Sequence, residues 1–292
     1  MKNKCGVLAF LFLLGFAGNA GAQTVNQISR EAVSSKDTIP LQVVDQAKYR
    51  VYYFLSFVKD TAFTEKKTEA QTILLIGSKY SAFLDYNTLR KDSLYNALSK
   101  SGMGAMEVIG QTLSVGRQIK FDPTVMKNYP EAGEYTFQQM ITSRDNYRYT
   151  DKNVEIDWVL GDEKKTLRGY ECQQATCTYR GRDYVAWYCP EIALNDGPYV
   201  FSGLPGLIFE IYDTHNHYRF TLNGLTEAKG YDPLYFMANN VVETTRDKVR
   251  KIVSNLRANP ASLLQLMGGR AEISPEVQRK LQPKPYNPIE LE

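Results

Sequence analysis

The chain has 292 residues, is 43% hydrophobic and 12% aromatic, and carries a formal net charge of +3. This composition is typical of a folded protein, and the length permits one large domain or two small ones. The nearly balanced charge lacks the clustered lysine and arginine of a nucleic-acid-binding surface, so we expect no nucleic-acid partner.

The first 22 residues have the parts of a secretory signal peptide: two early lysines, a short apolar run and the small-residue pattern Ala20-Gly21-Ala22. The apolar run is too short to span a bilayer, and no later segment approaches the roughly 18 apolar residues of a membrane span. We therefore expect cleavage before Gln23 and a soluble periplasmic protein of residues 23–292.

The first half of the mature chain mixes strand and helix patterns. Residues 23–45 are polar and are expected to be a flexible lead-in or an edge segment. In residues 103–132 the apolar residues show no clean helical or strand period, so no element is assigned there. Between them the sequence predicts a strand, then a strand-turn-strand, then a helix with Leu89, Leu94 and Leu98 on one side and its end at Gly102. These elements cover 48–60, 69–86 and 87–102.

The second half contains short strand patterns separated by turn residues. Consecutive strands joined by tight turns predict an antiparallel sheet, because parallel pairing needs long crossover connections. A last hairpin is expected around Asp213–Asn216. The predicted strand regions are 133–141, 145–151, 154–179, 183–194, 207–213 and 217–225.

The C-terminal region, about 240–292, is expected to be rich in helix. Residues 244–260 place Val249, Ile252, Val253 and Leu256 at the spacing of an amphipathic helix. Two short helices are predicted at 260–269 and 274–282, followed by an extended end at 283–292. Residues 23–292 are therefore predicted to form a single α+β domain.

The hexapeptide Gly203-Leu204-Pro205-Gly206-Leu207-Ile208 suggests either a phosphate cradle or a corner between strands. A cradle needs consecutive free N–H groups at a helix start, whereas Pro205 removes one donor and a strand pattern follows. A type II turn suits Pro205 at its second position and Gly206 at its third. We interpret these six residues as a structural motif.

The hexapeptide and its surroundings resemble the GLPGLI family of exported proteins from Gram-negative bacteria. The resemblance rests on the blocks "WVLGDEKKTLRGYECQQAT", "RGRDYVAWYCPEI" and "GPYVFSGLPGLIFEIYD", with "SKYSAFLD" upstream and "NPIELE" at the end. It covers most of the mature chain. The family is defined by sequence, so the resemblance implies no established activity.

A second resemblance concerns architecture alone. The stretch "GLPGLIFEIYDTHNHYRFTLNGL" is similar to a passage of lipoprotein-localisation-factor-like proteins. Those proteins wrap a curved, unclosed antiparallel sheet around helices and hold acyl chains in the hollow. The resemblance implies a curved, half-barrel-like sheet, although fold analogy does not establish function.

Three cysteines remain in the mature chain, Cys172, Cys177 and Cys189. A two-residue turn at Arg180-Gly181 would place Cys172 opposite Cys189 in a non-hydrogen-bonded pair, which is close enough for a disulfide. We predict this link, with three free thiols as an alternative and a metal site as a weaker one. A register centred one residue later would set Cys172 opposite Glu191.

The sequence offers little that demands catalysis. His215 and His217 could share a face with Asp213 and hold a metal, but an exposed hairpin tip explains them as well. We assign no catalytic residue, metal or cofactor. The favoured function is an exported non-catalytic envelope protein that binds an apolar small molecule or a partner envelope protein in a curved sheet. The alternative is a periplasmic enzyme that uses acidic residues or a thiol.

Overall fold

The computed structural model describes residues 38–141, 145–152, 154–261 and 281–292. This part of the chain contains three helices, α1 (Tyr86–Lys100), α2 (Ala105–Gly116) and α3 (Arg246–Ala258). Its strands are β1 (Leu41–Gln46), β2 (Tyr49–Val58), β3 (Lys67–Ile76), β4 (Ser81–Asp85), β5 (Thr124–Lys127), β6 (Tyr135–Met140), β7 (Asn146–Asp151), β8 (Val159–Leu167), β9 (Tyr170–Tyr179), β10 (Arg182–Cys189), β11 (Leu207–Asp213), β12 (Tyr218–Glu227), β13 (Pro233–Met237) and β14 (Val241–Glu243).

Twelve of the described strands form one open, curved sheet in the order β14-β7-β6-β5-β4-β3-β2-β12-β11-β10-β9-β8. Neighbouring strands are antiparallel, except β14 and β7, which run parallel. Strands β1 and β13 form a separate antiparallel pair. The predicted class, an α+β protein with a largely antiparallel curved sheet and a C-terminal helix, is confirmed.

The sheet buries apolar side chains on both faces. One face, called the inner face below, carries alternate residues of β2 such as Tyr53 and Leu55 with Phe220 of β12, and the loop between β10 and β11 packs on it. The opposite face carries Ile73, Leu75 and their neighbours beneath Leu234 and Phe236 of β13. Because consecutive side chains of a strand point to opposite faces, most of β2 and the second half of β3 carry apolar side chains on both faces.

Most sequence-predicted elements are confirmed. The strands near 48–60 and 69–86 are β2, β3 and β4, and the helix predicted at 87–102 is α1. The register about Arg180-Gly181 is confirmed, since Tyr179 pairs with Arg182 and Cys177 with Tyr184. Both turn residues have positive φ, as a two-residue hairpin requires.

The sequence did not predict several other elements. Helix α2 and strand β5 lie in the unassigned stretch 103–132, and β13 and β14 precede the C-terminal helix. Helix α3 confirms the amphipathic prediction for 244–260, but most of the two short helices predicted at 260–269 and 274–282 lies outside the described residues. In the described part of the chain, no helix combines the length and apolar character needed to cross a membrane.

Candidate functional site

The hexapeptide 203–208 forms the corner that leads into β11, but not as a type II turn. Gly206 N–H donates to the Leu204 carbonyl at 2.8 Å, which closes a three-residue turn around Pro205. Leu207 N–H, the donor that a type II turn would use, instead bonds the Ile192 carbonyl at 3.0 Å. The predicted turn type was therefore wrong, because the loop that precedes the hexapeptide takes up its main-chain donors.

Glycine at position 206 is required by a close approach of two main chains. Its φ is +150°, and a β-carbon built there would lie 2.6 Å from the carbonyl carbon of Cys189. Any larger residue would have to push the loop away from the end of β10. The corner is thus set by a contact between residues distant in sequence rather than by local turn chemistry.

A buried ion pair fastens the same loop to the sheet. Lys127 of β5 donates from Nζ to the Asp196 carboxylate, to the Gly197 carbonyl at 2.6 Å and to the Phe201 carbonyl at 3.2 Å. Burial lowers the pKa of Lys127, and the Asp196 carboxylate opposes that shift. Since all donors of the ammonium are engaged, this lysine stabilises the loop and is not available to a ligand.

The three cysteines are buried free thiols in this structure. The confirmed register brings Cys172 beside Cys189, and burial together with the Cys189 thiol raises the pKa of Cys172 to about 12. Burial and the Asp183 carboxylate raise the pKa of Cys177 to about 12 as well. Because the reactive form is the thiolate, these shifts disfavour a thiol nucleophile. The predicted Cys172–Cys189 disulfide stays a prediction.

The hairpin tip around Asp213–Asn216 does not gather a metal-ligand set. Asp213 is buried, pairs with Arg182 at 3.0 Å and accepts the Tyr218 N–H at 2.6 Å, so its two oxygens are engaged. The rings of His215 and His217 lie 5.6 Å apart. Among the described residues, no group of three histidine, cysteine or carboxylate side chains has a metal-binding arrangement.

A cleft of about 160 Å³ opens between the inner face, α3 and the C-terminal segment. Its aromatic lining includes two stacked pairs, Phe57 with Tyr218 at 5.6 Å and Phe137 with Tyr149 at 4.8 Å between ring centroids. Ligand pockets that enclose a drug-sized molecule are typically about 300–1,000 Å³. The cleft therefore has room for one ring or head group.

Cations outnumber carboxylates around this cleft. Lys59, Lys120, Arg250 and Arg257 line it, against Asp122 and Glu290. Glu290 is already neutralised by Arg246 at 2.6 Å. Lys59 forms no ion pair within the described part of the chain, and burial, Arg257 and Lys120 together lower the pKa of its ammonium. The cleft thus presents positive charge that its own carboxylates do not balance.

Sequence reasoning missed these cationic residues because they come from separate parts of the chain. Lys59 follows β2, Lys120 precedes β5, and Arg250 and Arg257 lie on α3. The sequence of α3 did contain one sign of a cationic surface. Arg250 and Arg257 are seven residues apart, so they project from the same side of the amphipathic helix, beside Val249 and Val253.

The fold and the cleft define an open antiparallel-sheet protein with a small aromatic, cation-rimmed site on its inner face. Residues 179–210 match a family described as "Protein of unknown function (Porph_ging)", and this stretch runs from the end of β9 through the hexapeptide into β11. No curated protein matches the chain in sequence.

The chain is similar to solved structures at low sequence identity. PNGF-II, solved in two space groups, gives TM-scores of 0.50 and 0.49 at 13% identity, over 73% and 72% of this chain. The chain spans about a third of PNGF-II, 34% and 33% of the two structures. An uncharacterized conserved protein from Thermus thermophilus gives 0.33 at 8% identity, over 68% of this chain and 91% of that one. At 13% identity the likeness to PNGF-II concerns the fold alone.

Proposed function

We propose that this chain is a GLPGLI-type, single-domain, non-catalytic binding protein that works in the periplasm after removal of residues 1–22. Its ligand is a small molecule that joins an anionic group to an aromatic or apolar body. The ligand's ring lies against the aromatic lining of the cleft, and its charge faces Lys59, Lys120 and Arg257. Sequencing the N-terminus of exported protein tests the first part, since Gln23 should be the first residue.

The observation that carries the proposal is the combination of stacked aromatic side chains with cations that the carboxylates of the cleft do not balance. These cations, called the cationic rim below, are Lys59, Lys120, Arg250 and Arg257. Aromatic rings supply apolar area and stacking geometry, and cations in a concave site attract an anion more strongly than they would on a flat surface. The small volume argues against a long acyl chain enclosed in this cleft. It leaves room for a ring or an acidic group, with the remainder of the ligand exposed.

An enzyme is less well supported by the same geometry. Both Glu290 carboxylate oxygens are engaged, by Tyr199 at 2.6 Å and by Arg246 at 2.6 Å. Asp122 is the other carboxylate of the cleft, and glycosidase-type chemistry needs a cooperating pair across the substrate. The thiols of Cys172 and Cys177 have raised pKa values and do not line the cleft.

A pair of fluorescent probes tests the proposal. Anilinonaphthalene sulfonate and its neutral parent, phenylnaphthylamine, share the same rings and differ by the sulfonate. The full chain should bind the sulfonate at one saturable site, more tightly than the neutral probe, and the advantage should shrink as salt screens the rim. Equal affinity for the two probes would show that the cationic rim takes no part in binding.

A further inference from the structure

Helix α2 is apolar on its exposed side as well as on its buried side. Its 12 residues include one charged side chain, Glu107 in the first turn. Val108, Thr112 and Val115 are buried, and the helix packs against α1. A surface helix normally turns polar side chains to solvent, and a helix that is apolar all round is normally enclosed. The exposed side of α2 therefore has the composition of a contact surface.

Four residues form what is called the apolar stripe below: Met106, Ile109, Gly110 and Leu113. Their spacing of i, i+3, i+4 and i+7 places them on one side of the helix. Met106 is 75% exposed and Leu113 is 41% exposed. A β-carbon built on Gly110 would meet no atom within 4 Å, so no described residue covers the middle of the stripe. Contiguous exposed apolar side chains are typical of a surface that binds a protein or a membrane.

The part of the chain that carries the stripe is positively charged. Residues 86–120, called the helical hairpin below, comprise α1, α2 and the residues that follow each helix. They contain five basic and two acidic residues, a formal net charge of +3, which equals that of the entire chain. Of the two carboxylates, Asp92 is buried beside Lys91 at 3.3 Å, which leaves Glu107 as the exposed one.

Cations lie near both ends of the apolar stripe. Lys100 ends α1, and a short connection places it close to the start of α2. Arg117 follows Leu113 by four residues, so it continues the line of the stripe at the other end. Lys91 adds positive charge there, since its side chain lies 3.7 Å from the position of a β-carbon on Gly116. The exposed apolar surface is thus bordered by positive side chains.

We propose that the helical hairpin binds the surface of an anionic phospholipid bilayer. The apolar stripe inserts at the level of the head groups, and Lys100 and Arg117 face the lipid phosphates. Burial of apolar side chains and attraction of lysine and arginine to anionic lipids act together in such a contact. The stripe is a convex ridge, and a fluid bilayer accepts a ridge without a matching groove. This inference does not depend on the ligand proposed for the cleft.

Charge and size both disfavour a second copy of the chain as the partner. Two hairpins that met through their stripes would bring net charges of +3 together, which is repulsive. A helix of 12 residues is about 18 Å long. One stripe of that length covers only a fraction of the roughly 800 Å² that each partner buries in a stable dimer. An anionic bilayer removes both objections, because it attracts the hairpin and needs no large interface.

Co-sedimentation with lipid vesicles tests the proposal. Exported protein should bind vesicles of equimolar phosphatidylcholine and phosphatidylglycerol at least about tenfold more tightly than vesicles of phosphatidylcholine alone. Met106→Gln/Leu113→Gln should weaken binding to the anionic vesicles by about tenfold, because two apolar side chains no longer enter the bilayer. Lys100→Gln/Arg117→Gln should weaken it by about fivefold for each charge removed.

Two control variants separate the stripe from other surfaces. Phe63→Gln/Tyr231→Gln removes apolar side chains that are 48% and 77% exposed outside the helical hairpin, and it should bind vesicles as the wild type does. Lys59→Gln/Arg257→Gln alters the cleft and should also bind them normally, so failure of the function proposed for the cleft would leave this result unchanged. No binding of the wild type to anionic vesicles, or equal losses in the stripe variant and the first control, would overturn the proposal.

The variant Met106→Trp reports insertion of the stripe directly. Its fluorescence emission should shift to shorter wavelength when anionic vesicles are added, because the indole ring leaves water, and the emission of Tyr231→Trp should not shift. Binding without a shift in Met106→Trp would show adsorption by charge alone and would contradict insertion of the stripe. A wild-type dimer in sedimentation equilibrium that Met106→Gln/Leu113→Gln abolishes would also overturn the proposal, since the stripe would then bind a second copy.

Discussion

A β-carbon on Gly206 would lie 2.6 Å from the carbonyl carbon of Cys189. The two residues come from opposite ends of the β10–β11 loop, so the contact closes that loop against the start of β11. The loop carries Asp196, which pairs with Lys127 inside the sheet. Tyr53 adds a bond from its hydroxyl to the Ile208 carbonyl at 2.7 Å. The position of the hexapeptide is thus fixed by the close approach to Cys189, by the Lys127–Asp196 pair and by the Tyr53 hydrogen bond.

Gly206→Ala should destabilise the protein by about 2–4 kcal/mol, because the added methyl group meets main-chain atoms that cannot turn aside. Gly203→Ala is the matched control in the same loop. Gly203 also has positive φ, +91°, but the nearest atom to its β-carbon would be 3.9 Å away. Gly203→Ala should therefore lower the free energy of unfolding by only about 1–2 kcal/mol, from backbone strain. Urea unfolding of both variants measures the difference, and equal losses would contradict the close-approach explanation.

The Lys127–Asp196 pair should show strong coupling. Asp196→Asn leaves a buried ammonium without its counter-ion and should cost roughly 3–5 kcal/mol. Lys127→Met should also destabilise, whereas the double variant should lose clearly less than the sum of the two. A double-mutant cycle on unfolding free energies measures the coupling. Additive losses would mean that the two residues stabilise the loop independently.

Protein taken from an oxidising compartment should carry a Cys172–Cys189 disulfide and one free thiol at Cys177. The register places the first two side by side, and closing a loop of this length contributes roughly 3 kcal/mol. Non-reducing peptide mapping identifies the link. Cys177→Ala should lower the melting temperature of oxidised protein clearly less than Cys172→Ala does, because both remove a buried thiol but only the second removes the link. A Cys172–Cys177 link, or three alkylatable thiols, would refute the pairing.

Local sequence patterns were sufficient for elements whose contacts are close in sequence. The hairpin at Arg180-Gly181 is an example, since one glycine in a two-residue turn fixes the register of β9 and β10 as far as Tyr188 and Gln173. Strand β5 was not predictable in this way. It is four residues long and is stabilised by its neighbours β4 and β6 rather than by its own pattern.

The cleft and the contacts of residues 285–292 could not be predicted from local patterns for a related reason. Arg182 looks in the sequence like an ordinary residue after a hairpin turn, yet it binds residues 287–289, which lie far away in the sequence. Lys59 and Arg257 meet only because the sheet curves and α3 packs beside β7. Such sites follow from tertiary structure, which periodicity and turn chemistry do not encode.

Binding of the sulfonate probe should weaken with rising pH before an ordinary lysine would deprotonate. Burial, Arg257 and Lys120 hold the pKa of Lys59 below 10.5, so its charge is present at lower pH and is lost first as pH rises. Burial raises the pKa values of Tyr149, Tyr199, Tyr218 and Tyr286 in the cleft, so those groups ionise later. Fluorescence titrations across alkaline pH should show this loss in the wild type and a flatter profile in Lys59→Gln. Identical profiles in the two proteins would show that Lys59 does not contribute to binding.

The most direct measurement is the affinity of the full chain for the sulfonate probe when the rim charges are removed. Lys59→Gln/Arg257→Gln should weaken binding by about fivefold to tenfold, since each partly exposed charge contributes about 0.5–0.7 kcal/mol. Lys66→Gln/Lys79→Gln is the matched control, because these lysines also lie over aromatic rings but outside the cleft. It should bind like the wild type. Unchanged affinity in the rim variant, or equal losses in both variants, would contradict the assignment of the cleft as an anion-binding site.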